Sequence, residues 1–115
     1  MEKEYRKEVD KLWGEEIWLV NDEYCGKLLI LNPGIVCSYH CHNTKKETFY
    51  CLEGHACLTI EGKDYMMTPF ARPKTIQPRE KHSFHSLRGA TLLEISTHHD
   101  EEDVVRITES QSGME

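Results

Sequence analysis

From Gly34 to Gly54 the chain reads GIVCSYHCHNTKKETFYCLEG, a pattern that predicts two β-strands joined by a short turn. Side chains alternate between the two faces of a strand, so His40 and His42 point to the same side. Glu47 follows the turn, and the next strand returns its carboxylate to the same place. Two imidazole nitrogens and a carboxylate suit a divalent transition metal. The stretch therefore predicts a metal site carried on β-strands.

The rest of the chain predicts an all-β fold. Short β-rich runs alternate with glycine and turn signals, which favours a small antiparallel β-barrel or sandwich over residues 14–109. A length of 115 residues corresponds to one domain. Tyr5, Val9 and Leu12 share one helical face, so residues 1–13 are expected to form a short N-terminal helix or arm. Residues 110–115 are expected to fray as a C-terminal tail.

Composition narrows the partners of the protein. The net charge is −6, from 14 basic and 20 acidic side chains, which gives no support to a nucleic-acid partner. No apolar run is long enough to span a membrane, and the charged start lacks a secretory leader, so a cytoplasmic location is expected. The five cysteines show no C-x-x-C pair and are expected to be reduced.

The spacing of five residues resembles the first motif of the cupin superfamily: Gly34, His40, His42, Glu47 and Gly54. The resemblance implies a jelly-roll β-barrel and a fourth metal ligand from a second motif. His82 is the candidate, because it keeps the distance from Pro78 that the second motif requires. Arg79 stands near the place of the usual glycine and Ser86 replaces an asparagine. His85 becomes the ligand instead only if a bulge resets the register.

The ligand set that the resemblance implies is His40, His42, Glu47 and His82. Three histidines and one carboxylate leave two adjacent positions open on a six-coordinate metal, as in a reactive rather than a structural centre. Two waters, or a sugar carbonyl and the hydroxyl beside it, would fill them. The ligand types suit Zn, Mn, Fe, Co or Ni alike.

A narrower resemblance concerns the run His40-x-His42-x-x-Lys45-x-Glu47, which is similar to the metal motif of D-lyxose isomerase-type sugar isomerases. Mannose-6-phosphate isomerase-type cupins share the general pattern. The resemblance implies a metal-dependent isomerase or epimerase that acts on a monosaccharide or sugar phosphate through an ene-diolate. Lys45 and Glu94 are then the catalytic candidates for proton transfer. The alternatives are a solvated turn lysine and a structural carboxylate beside His85 or Arg88.

Two other functions are compatible with the same ligands. One is a non-catalytic cupin that binds a metal and a carbohydrate, and the other is an iron-dependent dioxygenase. In each case the expected ligand is a small molecule, a sugar or small acid, and no nucleic acid or membrane is expected as a partner. Three basic residues on a proline-rich connection could take a phosphate: Arg72, Lys74 and Arg79. A homodimer that pairs through sheet edges is expected.

Overall fold

The computed structural model of the chain describes residues 6–108, which are almost entirely β-structure. Within that range the strands are β1 (Lys7–Lys11), β2 (Gly14–Asn21), β3 (Tyr24–Leu31), β4 (His40–His42), β5 (Glu47–Gly54), β6 (Ala56–Ile60), β7 (Lys63–Met67), β8 (Lys74–Ile76), β9 (His82–His85), β10 (Ala90–Thr97) and β11 (Val104–Arg106). A single 3-10 turn, Glu101–Asp103, precedes β11. None of these residues belongs to a helix that is long and apolar enough to cross a bilayer.

The strands form two sheets that face each other. One has the order β1-β2-β3-β10-β5-β8 and the other the order β11-β4-β9-β6-β7. Every pairing among them is antiparallel. The sheets make a jelly-roll sandwich that is not a fully closed barrel, and the predicted all-β jelly-roll class is confirmed.

The interior of the sandwich is divided into an apolar and a polar end. Along β10, Ala90 and Leu92 point inward at one end, whereas Glu94 and Ser96 point inward at the other. Antiparallel register extends this division to the neighbouring strands, since Leu92 lies opposite Leu29 and Glu94 opposite Lys27. The apolar end contains most of the hydrophobic core: Trp13, Leu29, Leu31, Cys37, Phe49, Cys51, Ala56, Leu58, Met67, Ile76, Phe84, Ala90 and Leu92.

The predicted N-terminal helix is wrong for the part of the segment that the structure describes. Residues 7–11 form β1, which pairs with β2 through a tight turn at Leu12 and Trp13. A sheet edge offers unpaired backbone groups that a strand can satisfy, and the thin apolar stripe on a helix offers less. The start of the predicted arm (residues 1–5) and the predicted frayed tail (residues 110–115) lie outside the described residues.

The turn before β9 explains the unusual arginine of the second motif. The Glu80 N–H donates to the Gln77 carbonyl at 3.2 Å, and Pro78 and Arg79 occupy the two central positions. Arg79 has a φ of 74°, the left-handed value that a type II turn needs at its third residue and that glycine adopts most readily. The Arg79 N–H donates to the His42 carbonyl at 2.6 Å, so the turn connects β9 to the metal-motif strand.

Replacing this arginine by glycine should therefore stabilise the protein. We expect Arg79→Gly to increase the free energy of unfolding by about 0.5–1 kcal/mol, because relief of the left-handed strain outweighs the added freedom of the unfolded chain. Urea denaturation measures the change. Arg72→Gly, at an exposed position without positive φ, is the control and should be neutral or destabilising. A loss of stability in Arg79→Gly would contradict this account of the turn.

Candidate metal centre

The four predicted ligand residues come from three strands in the two sheets. His40 and His42 lie on β4, and His82 lies on β9 directly opposite His40. One ligand atom from each of these histidines lies within 4.8 Å of the others. Glu47, at the start of β5 in the facing sheet, brings its Oε2 to 2.9 Å from His82 Nε2 and 3.3 Å from His42 Nε2. The structure thus brings the four side chains together.

The backbone fixes the tautomers of two of the histidines. His40 Nδ1 lies 2.8 Å from the Ser38 carbonyl, and His82 Nδ1 lies 2.9 Å from the Glu80 carbonyl. A carbonyl oxygen only accepts, so both Nδ1 atoms carry the proton and both Nε2 atoms present a lone pair. Burial, together with the neighbouring His82, lowers the pKa of His40 to about 3. The His40 imidazole is therefore in the neutral form that binds metals.

The contact between Glu47 and His82 needs a positive charge, which a metal ion or a second proton on His82 would supply. Glu47 Oε2 and His82 Nε2 are both buried, and among the described residues neither has a hydrogen-bond donor. Two acceptors held 2.9 Å apart repel each other unless a proton or a metal ion lies between them. Ligands bound at about 2.1 Å to one ion are about 3.0–3.4 Å apart in octahedral or tetrahedral geometry. The residues present therefore fit a divalent transition metal.

Lys45 is buried beside these ligands, with a side-chain exposure of 2%. Its Nζ lies 2.7 Å from Glu94 Oε2, 2.9 Å from His99 Nδ1 and 3.4 Å from Glu47 Oε1, so each of its three protons faces an acceptor. Burial by itself lowers the pKa of Lys45, but the Glu94 and Glu47 carboxylates outweigh burial and raise it. The solvated-lysine alternative is wrong, because the turn folds this side chain inward.

Asp103 explains why the turn folds that way. Its carboxylate accepts from the Thr44 and Lys45 backbone N–H groups, each at 3.0 Å to its nearer oxygen. The 3-10 turn that carries Asp103 therefore fixes the loop between β4 and β5. Glu94 is held at Lys45 and accepts from Ser96 Oγ at 3.1 Å.

His99 and Glu101 extend the network to the surface and are absent from the predicted site. His99 Nε2 lies 2.7 Å from Glu101 Oε2, so this nitrogen donates and Nδ1 accepts from Lys45. Burial, with the charges of Lys45 and Lys27, lowers the pKa of His99 and outweighs the opposing effect of Glu101. The adjacent His98-His99-Asp100 run is the sequence signal, but no spacing rule assigns it to the metal motif.

The centre opens into a cavity of about 60 Å³ between the sheets. That volume admits only a few water molecules, or one end of a larger ligand. His85 and Arg88 line a different, larger cavity. The alternative of His85 as a metal ligand is therefore wrong. Glu94 lines the 60 Å³ cavity and does not lie beside His85 or Arg88. Arg72 and Arg79 are exposed, and neither lines the 60 Å³ cavity.

Comparison with known proteins gives relatives in sequence and in structure. No protein-family model matches the chain. The chain is 31% identical to a D-lyxose/D-mannose isomerase of Thermosediminibacter oceani, in a match that covers 75% of this chain and 62% of that protein. The chain thus spans about three fifths of the length of that relative.

Solved structures at low sequence identity share the fold. CapF, a capsular polysaccharide assembling protein from Staphylococcus aureus, superimposes with a TM-score of 0.80 at 16% identity, over 92% of this chain and 32% of CapF. A variant of Streptomyces PAC13 with uridine superimposes with a TM-score of 0.78 at 11% identity, over 94% of this chain and 91% of PAC13. At these identities the likeness establishes the fold alone.

Metal binding can be tested with a matched pair of histidines. Titration of metal-free protein with Zn²⁺ should raise the thermal midpoint, by the equivalent of about 2.7 kcal/mol at a hundredfold excess over Kd. We expect His82→Ala to lose most of this shift, because it removes one nitrogen ligand, and His85→Ala to keep it. Differential scanning fluorimetry with calorimetric titration measures both. Equal responses from the two variants would contradict the assignment of His82.

Proposed function

We propose that this chain is a cupin that acts as a metal-dependent isomerase, interconverting an aldose and a ketose. The observation that carries the proposal is the position of Lys45, with its ammonium 2.7 Å from the Glu94 carboxylate and 3.4 Å from that of Glu47. An acid and a base in direct contact beside three histidines suit proton transfer next to a carbonyl. The sequence similarity to a D-lyxose/D-mannose isomerase supports the same reaction class.

The metal would be held by His40, His42, Glu47 and His82. A bound divalent ion supplies a Lewis acid that polarises the sugar carbonyl and stabilises negative charge on the neighbouring oxygen. His40 and His82 are oriented for this role by their Nδ1 hydrogen bonds to backbone carbonyls. Zn, Mn, Fe, Co and Ni all suit this donor set.

Glu94 is the proposed base. Its carboxylate takes the proton from the second carbon of the aldose, the two carbons form a double bond, and the carbonyl electrons move to the first oxygen, which gives an ene-diolate. The same proton, or one exchanged with solvent, then returns from Glu94 to the first carbon, the hydroxyl proton of the second oxygen passes to the first oxygen, and the second oxygen becomes the carbonyl. The reaction needs no oxidant or reductant. Lys45, protonated because its pKa is raised, donates to a sugar oxygen and holds Glu94 in place.

The test is proton exchange in deuterated water. Metal-loaded protein is incubated with a panel of aldoses and ketoses, and nuclear magnetic resonance follows deuterium at the first and second carbons. We expect Glu94→Gln and Lys45→Met to reduce exchange by at least about 100-fold, since each removes a proton-transfer group. Lys46→Met changes the exposed neighbour of Lys45 and should leave exchange intact. Absence of exchange with every sugar would reject the isomerase.

A second candidate is a binding module without turnover. The small volume of the cavity, about 60 Å³, favours it, because a whole monosaccharide requires the walls to open. It predicts that sugars stabilise the protein thermally with no product, and that Lys45→Met leaves this stabilisation unchanged. An iron-dependent dioxygenase is distinguished by oxygen uptake in the iron-loaded protein.

We propose a homodimer that pairs through the outer face of the six-stranded sheet, whereas the sequence predicted pairing through sheet edges. Leu28, Leu93 and Tyr50 lie in one cross-strand row on this face, and Ile95 and Leu52 beside them are 54% and 44% exposed. In a two-fold symmetric dimer the same apolar row of each copy packs against the other.

We expect Leu93→Lys to shift the protein from dimer to monomer, because it places a charge at the centre of that row. Sedimentation equilibrium at micromolar concentration measures the change. Met66→Lys, on the outer face of the other sheet and 60% exposed, is the control. A monomeric parent protein would refute this dimer.

A further inference from the structure

Lys27 is a lysine on the inward face of β3. It shares that face with Cys25, Leu29 and Leu31, and its side chain is 1% exposed. In the sheet it lies between Trp18 on β2 and Glu94 on β10. Lysine is almost never this deeply buried unless it is paired, so its partners decide what it does.

The partners of Lys27 leave much of its hydrogen-bonding capacity unused. Its Nζ is 3.4 Å from Glu16 Oε1, a long contact, and 4.0 Å from the centroid of the Trp18 ring. Glu94, although opposite in register, pairs with Lys45 instead. Among the described residues, Glu16 is the only carboxylate that forms an ion pair with Lys27. The ammonium has three donors, so at least one is available to a ligand.

Lys27 lines the same 60 Å³ cavity as the metal centre. The charged residues that line the cavity comprise four cations and four carboxylates: Lys11, Lys27, Lys45, Arg106, Glu16, Glu47, Glu94 and Glu101. These formal charges cancel, so a bound divalent ion leaves the cavity with a charge of about +2. A water-poor cavity with that charge favours an anion over a neutral ligand.

We propose that Lys27 binds an anionic oxygen, from a carboxylate or phosphate, so that this cavity accepts an acidic or phosphorylated sugar in preference to a neutral one. The identification of the ligand as a sugar rests on the proposed isomerase function, whereas the anion site itself does not. Lys45 is less suited to hold a bound anion, because each of its three protons already faces Glu94, Glu47 or His99 and the anion would have to displace one of them. An ammonium with unused donors is the group that an incoming oxyanion can reach without breaking an internal ion pair.

Calorimetric titration of Zn²⁺-loaded protein tests the anion site without any turnover. The probes are D-mannose, D-mannose 6-phosphate and D-mannuronate, with inorganic phosphate and acetate as minimal anions. We expect the anionic probes to bind at least about tenfold more tightly than D-mannose. Lys27→Met should weaken anion binding by about 10- to 100-fold, the usual value of a hydrogen bond to a charged group. Lys63→Met, exposed on β7, is the matched control and should not change it.

Thermal unfolding separates a binding role from a structural one. A buried and poorly paired charge opposes folding, so Lys27→Met without ligand should have an unchanged or higher midpoint. If Lys27→Met does not fold, Lys27→Gln is titrated in its place. Unchanged phosphate affinity in the folded variant means that the anion binds the metal alone, which overturns the proposal. Equal affinity for D-mannose and both acidic sugars overturns it as well.

The two proposals can fail separately. Anion binding that depends on Lys27 without deuterium exchange into any sugar would reject the isomerase and leave the anion site standing. Exchange into neutral sugars, with no preference for acidic ones, would reject the anion site and leave the isomerase standing. Preference for D-mannose 6-phosphate over D-mannuronate, or the reverse, identifies which oxyanion the site is built for.

Discussion

The polar end of the sandwich is organised by the contact between Glu47 Oε2 and His82 Nε2, two acceptors 2.9 Å apart. The sheets meet here, since Glu47 comes from one and His82 from the other. Because Glu80 fixes the His82 tautomer, the ring cannot donate its remaining nitrogen to Glu47 without gaining a second proton. A positive ion between the sheets resolves the conflict, and the contact therefore determines both where a metal fits and how the two sheets are joined.

The charged side chains around that contact form a network of ion pairs and hydrogen bonds. Lys45 forms ion pairs with both Glu94 and Glu47, and His99 accepts its third proton while donating to Glu101 near the surface. Buried charges are tolerated when each is paired and hydrogen-bonded. Lys27 is the exception to this pattern, since its one ion pair is long. An incompletely paired ammonium in an otherwise satisfied network is where an additional ligand gains most.

The fold and the grouping of His40, His42 and Glu47 could be predicted from the sequence because both depend on local spacing. Strand alternation aligns the two histidines, and a short turn returns the carboxylate. Predicting His82 as a ligand required the family resemblance, because only the cross-strand register with His40 brings it near.

The predicted N-terminal helix was wrong because pairing at the sheet edge outweighed a weak helical pattern. The burial of Lys27 could have been predicted from strand alternation, which puts it on the same face as Cys25, Leu29 and Leu31. An apolar run, however, does not reveal which of its two faces points inward. His99 depends on a long-range contact with Lys45 that no spacing encodes.

The division of the interior links the stability of the fold to occupancy of the site. The apolar end supplies the hydrophobic driving force, whereas the polar end buries carboxylates and ammoniums whose desolvation opposes folding. The lone pairs of His82 and Glu47 face each other only when both sheets are in place, so an ion that binds them adds its binding free energy to folding. Without an ion, the contact is repulsive unless His82 takes up a second proton. The residues that would hold the metal therefore connect the stability of the whole domain to the charge placed between these two atoms.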